Sequence, residues 1–136
     1  MAAAVRAAGA GLVYAAALFL AGSVMGVFRV LLLEPHAGAL NATMIELPLM
    51  LAVAWLFAGS LSSRLQIPAR PSARLLMGAV ALLFLVAAEF ALASALGRRT
   101  DFGKPAAILG LAGQIAAAMV PFAQACLFRR DWRALP

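Results

Sequence analysis

Four side chains carry most of the chemical capacity of this 136-residue sequence: Arg29, Glu46, Glu89 and Gln114. Each lies inside a long apolar run, where an ionisable group costs about 2.5–3.5 kcal/mol to insert into lipid. A guanidinium and two carboxylates at one level could form a bidentate ion pair, hold a proton or small cation, or act as acid and base. Two glutamates and one arginine leave one negative charge unmatched. One glutamate is then protonated, or a cation or polar ligand completes the group.

These residues need helices to position them. The apolar runs fall at about residues 7–33, 40–61, 75–96 and 105–128, each near or above the roughly 20 residues that cross a bilayer. Ala, Leu, Met and Phe dominate, and no strand-like alternation occurs, so an all-α, antiparallel bundle of four transmembrane helices in a single domain is expected. Glu34-Pro35-His36-Ala37-Gly38 reads as a turn, because Pro35 disfavours helix at Glu34 and Gly38 permits unusual angles. Pro68 and Pro71 mark the second connection. Gly97 to Lys104 marks the third, with Pro105 suited to a first helical turn. On that scheme Arg29, Glu46, Glu89 and Gln114 sit at depths of about 6, 9, 10 and 13 Å from one membrane face. Four helices would each place one polar side chain in the outer half of the bilayer, forming a buried cluster. The plainer alternative is a polar contact that only holds helices together.

Packing signals accompany the cluster. Gly22 and Gly26 form a GxxxG pair continued by Arg29, and Gly110 starts a small, weakly polar stripe with Gln114, Ala117, Pro121 and Gln124. Pro48 removes a backbone bond two residues after Glu46 and is expected to kink that helix. Met25, Met44 and Met50 read as gap-filling side chains.

The chain is 65% apolar and 12% charged, with net charge +6 and mean hydropathy +1.00. Those values exclude an ordinary soluble domain, a disordered chain and a disulfide scaffold. Cys126 is the one cysteine, so neither a disulfide nor a cysteine-based zinc site is expected, and no cofactor or metal site is read from the other residues. The basic excess lies in short connections and tails, which argues for topology and against nucleic acid. Arg6, Arg64, Arg70, Arg74, Arg129, Arg130 and Arg133 fall on one side, and Arg29, Arg98, Arg99 and Lys104 on the other. Both termini are therefore expected in the cytoplasm, with Trp132 as an interfacial anchor. The first run is long for a signal peptide and no polar domain follows it, so it is read as a spanning helix. Ten of the eleven basic residues are arginine and alanine is abundant, a composition that hints at a bacterial inner-membrane protein.

The stretches Gly26-Val27-Phe28-Arg29-Val30, Glu34-Pro35-His36-Ala37-Gly38, Ile45-Glu46-Leu47-Pro48-Leu49-Met50 and Ala88-Glu89-Phe90 resemble a family of small four-helix bacterial inner-membrane proteins to which no activity attaches. The resemblance runs from about Ala15 to Arg99. It implies that Arg29, Glu46 and Glu89 act as one unit and transfers no reaction. In size and helix count the chain also resembles small multidrug transporters, although its first helix lacks their membrane-embedded glutamate.

Three functions fit these features. The first is an accessory or structural subunit of a membrane complex, whose partners are the lipid bilayer and other subunits or further copies of itself. The second is a proton- or cation-linked transporter using Glu46 and Glu89. The third is an intramembrane enzyme acting on a lipid or isoprenoid. No phosphate-binding loop, metal-ligand spacing or nucleophile–base set is present, so an enzyme is the least favoured.

Overall fold

The structure, a computed structural model, describes residues 2–68, 70–95, 97 and 103–131. The roles expected for Arg98, Arg99, Trp132 and Arg133, and for the side chains of Arg129 and Arg130, fall outside the described residues. So does Leu96, at the end of the third expected helix. The chain is all-helical, with no strand among the described residues. In order come α1 (Ala2–Phe28), a π-helical turn (Arg29–Leu33), α2 (Glu34–Arg64), α3 (Pro71–Ala95) and α4 (Pro105–Asp131).

The expectation of four separate apolar helices is corrected in one respect. Helical structure runs without a gap from α1 through the π turn into α2, so three helical stretches are long and apolar enough to cross a membrane: Ala4–Arg64, Pro71–Ala95 and Pro105–Leu127. The first stretch is not straight. A straight helix would separate residues 14 and 54 by about 60 Å, yet the Tyr14 hydroxyl reaches the Ala54 carbonyl at 3.3 Å. The reversal passes through Glu34–Gly38, but not as the open turn expected there. Glu34 keeps helical angles (φ −60°, ψ −39°), and Gly38 alone leaves them (φ 77°, ψ 160°). The π turn explains how Glu34 stays helical before Pro35. A proline ring clashes with the carbonyl four residues back. The wider π turn redirects that bonding, and the Glu34 N–H donates to the Arg29 carbonyl five residues earlier. Near the break, the side chains of Asn41 and Thr43 donate to the Ala37 and Ala39 carbonyls, each at 2.9 Å, so polar groups are satisfied within their own helix.

Capping positions the other ends. Arg70 precedes α3, and its carbonyl accepts from the N–H groups of Ala73 and Arg74, while Pro71 takes the first-turn position that needs no donor. Lys104 and Pro105 repeat the pattern at α4. Helix α2 closes in a Schellman arrangement: Ile67 N–H bonds the Ser62 carbonyl at 3.0 Å and Gln66 N–H the Ser63 carbonyl at 3.3 Å. That closure holds Gln66 at φ 49°, a region glycine adopts without strain. Gln66→Gly is expected to raise stability by up to about 1 kcal/mol, read as an upward Tm shift in detergent. An unchanged or lower Tm would count against this account.

Helix α1 packs on α2 and α3, and α4 also packs on α2 and α3, leaving α1/α4 and α2/α3 as diagonals. Burial is uneven along the axis. The half containing the starts of α1 and α3 and the ends of α2 and α4 buries Tyr14, Leu18, Ala54, Ala58, Met77, Ala81, Ala117 and Val120. Toward the other end, Ala42 and Thr43 are the only buried residues in the first half of α2, and none is buried in the π turn. The molecule is thus tightly packed in one half and loosely packed in the other.

Candidate functional site

Arg29 opens the π turn, and that turn decides its first partner. In a π turn, positions five apart align, so Arg29 and Glu34 share both a backbone bond and a side-chain contact. Arg29 Nε lies 3.3 Å from Glu34 Oε1. On the far side of the reversal, α2 carries Glu46, whose Oε2 accepts from Arg29 Nη1 at 3.2 Å. The Glu46 side chain is 13% exposed, and those of Arg29 and Glu34 are 31% and 32% exposed. Nε of Arg29 is itself buried and makes no hydrogen bond, so Glu34 balances charge there without satisfying the donor. One guanidinium faces two carboxylates, and the group carries a net formal charge of −1. It ties the end of α1 to the first half of α2 and holds one carboxylate more than the guanidinium balances.

The two other expected members do not join it. Glu89 is exposed on α3 and forms no ion pair among the described residues. Gln114 is half-buried on α4. The cluster is therefore Arg29, Glu34 and Glu46. The sequence places Glu34 in a turn, because Pro35 disfavours helix there, and a standard helical period would not align positions 29 and 34 in any case. The signal available in the sequence was Pro35, which makes a π turn favourable just before it. His36 is exposed, and its Nδ1 lies 2.9 Å from the Leu32 carbonyl, an arrangement that places a proton on Nδ1. Among the described residues, no group of three or more His, Cys, Asp or Glu side chains gathers as metal ligands.

The glycines expected to bring helices together near Arg29 do not. A Cβ added at Gly26 or Gly110 would meet nothing within 4 Å, and one at Gly22 would meet only Met50 Cε at 3.6 Å. The loose packing of that half is the reason. Close approach occurs elsewhere, at Gly11 against the Met77 carbonyl and at Gly78 against the Ala118 carbonyl. Pro48 is exposed inside α2, which remains helical around it.

Two polar arrangements in the packed half escaped the sequence reading. Tyr14, fully buried, donates to the Ala117 carbonyl at 2.9 Å, with the Ala54 carbonyl as a longer second acceptor at 3.3 Å. Ala117 lies four residues before Pro121, which has no N–H to give it. The tyrosine replaces the missing backbone donor. A lone tyrosine in an apolar run is a detectable signal, since a buried hydroxyl needs a partner. Nearby, Arg74 donates to Ser62 Oγ and to the carbonyls of Pro68 and Ile67. Gln124 Nε2 donates to the Trp55 carbonyl at 2.7 Å, linking α4 to α2.

An all-helical chain with three apolar stretches long enough to span a bilayer, one of them folded back and clasped by an Arg–Glu–Glu triad, is the class these features define. No protein-family model, curated protein or solved structure matches the chain.

Proposed function

We infer that this is a small polytopic protein of a bacterial inner membrane, serving as an accessory or structural subunit of a membrane assembly. Four crossings are proposed, because the folded-back first stretch provides two, α1 and α2. The arginine excess at the packed end supports placing that end and both termini in the cytoplasm. The Arg29–Glu34–Glu46 triad then acts as the clasp of the α1–α2 hairpin.

The observation that carries the subunit reading is Glu89. It sits exposed on an apolar helix, beside Phe90 at 68% exposure, in a segment expected to face lipid. A carboxylate there is costly unless another helix covers it with a donor, so α3 offers a polar contact to a partner subunit or a second copy. Native mass spectrometry from lipid nanodiscs tests this. The wild-type chain should leave the bilayer in an assembly. Glu89→Leu, which removes the need for cover, should reduce the assembled fraction at least about tenfold, while Glu46→Gln should leave it intact. Recovery of the wild type as a lone chain at every lipid ratio, or assembly unaffected by Glu89→Leu, would sink the proposal.

The excess carboxylate of the triad supports a second reading, proton- or cation-linked transport. Flux into liposomes driven by a pH gradient should then be abolished by Glu46→Gln, and undiminished flux in that variant would refute it.

A further inference from the structure

We propose that the pocket between the end of α2, the start of α3 and the end of α4 binds the phosphate group of an anionic phospholipid. The pocket is half-open, about 290 Å³, and lined by Gly59, Ser62, Ser63, Gln66, Arg74 and Gln124, among others. Its charge is unbalanced. Arg74 is partly buried and has no carboxylate within ion-pairing distance among the described residues. A guanidinium has five N–H donors. Among the described residues three find acceptors, the Ser62 hydroxyl and the Pro68 and Ile67 carbonyls, and all three are neutral. Two donors and the positive charge then remain, among the described residues, on a guanidinium that lines the pocket. Ser62 and Gln124 are 4% and 3% exposed, so the wall around Arg74 is a built polar surface, not a solvated rim.

The chemistry selects a phosphate. Arginine matches phosphate oxygens in a planar, bidentate way, and the Ser62 hydroxyl, which accepts from Arg74, and the second amide proton of Gln124 can supply further donors. The volume is near the lower bound of small-ligand pockets, roughly 300 Å³, which suits a headgroup but not an acyl chain. The surroundings select a lipid over a free ion. The lining helices are apolar and exposed along much of their length, as at Phe57 and Leu127, where acyl chains can lie. Arg6, Arg64 and Arg70 are exposed at the same end, and a basic end beside the membrane surface concentrates anionic lipid. The inference rests on insertion in a membrane but not on the assembly proposed above.

The test uses the full chain in neutral detergent, titrated with phosphatidylglycerol, phosphatidylcholine or inorganic phosphate, with bound lipid counted by native mass spectrometry and Tm recorded. Phosphatidylglycerol should bind in preference to phosphatidylcholine and raise Tm, and inorganic phosphate should not reproduce the shift. Arg74→Gln should weaken phosphatidylglycerol at least about tenfold, the loss expected for one charged hydrogen-bonded contact. Because Arg74 also caps the α2–α3 connection, Ser63→Glu provides a second variant. It leaves Arg74 in place and puts a carboxylate into the pocket from an exposed position, and it should abolish the preference in a folded protein. Equal binding of the two lipids overturns the proposal. So does a preference that survives Ser63→Glu, or one that is lost with Arg64→Gln and Arg70→Gln while Arg74→Gln retains it. A Tm shift matched by inorganic phosphate alone would make this a free-anion site and overturn the lipid assignment.

Discussion

Gly78→Ala is expected to lower the stability of the protein by about 2–3 kcal/mol, through overpacking against a backbone that cannot yield. A Cβ at Gly78 would collide with the Ala118 carbonyl of α4, so α3 and α4 must separate along the packed half. The opposite result is expected at Gly26, where a Cβ meets nothing within 4 Å. There alanine should be neutral or stabilise by up to about 1 kcal/mol through helix propensity. Thermal unfolding in a mild detergent, followed by circular dichroism, gives both values. A Gly26→Ala variant less stable than Gly78→Ala would reverse the account and place the close helix contact at the GxxxG pair. The pair of variants thus asks directly which half of the molecule holds the helices together.

Tyr14→Phe should cost about 1–3 kcal/mol, the penalty of leaving a buried carbonyl without a donor. The ring would remain and only the hydroxyl would be lost, so packing changes little. The distinctive expectation is its coupling to Pro121. In a Pro121→Ala background the residue at position 121 regains an N–H, and the Ala117 carbonyl can close its own helical bond. Removing the tyrosine hydroxyl should then cost far less, giving a coupling of at least about 1 kcal/mol in a double-mutant cycle. Strictly additive effects would show that the two residues do not share that carbonyl. The pairing also explains how a proline is tolerated deep in α4: helices packed across an apolar interior satisfy each other's broken bonds.

These two contacts show where sequence reading stops. The all-helical character and the apolar stretches follow from composition and the absence of alternation, because a chain this apolar can satisfy its backbone only within helices. Pro105 marks a helix start because proline needs no partner in a first turn, and Pro71, expected in the connection, opens α3 for the same reason. An ion pair between Arg29 and one of the glutamates was also expected, since opposite charges at similar depth in lipid have few other partners, but only the structure chooses Glu46, together with Glu34.

What depth could not supply was direction around each helix. Glu89 was expected at the same level as Glu46, but α3 turns it to the surface. Its level follows from counting residues along the axis, whereas its facing depends on which helices are neighbours. Glu34 was missed for a related reason. A 3.6-residue period separates positions 29 and 34, and only the π turn, favoured by the demands of Pro35, brings them together. The sequence by itself determined the helical class, the apolar stretches and the scarcity of charge within them. The tertiary structure decided that the first 61-residue stretch folds back at Gly38, that Arg29 is shared by Glu34 and Glu46, and that Arg74 lines a pocket with no counter-charge among the described residues. The physical reason is the same in each case. Hydropathy and periodicity describe a helix against a uniform medium, while pairing, close approach and uncompensated charge are properties of the particular helices packed beside it.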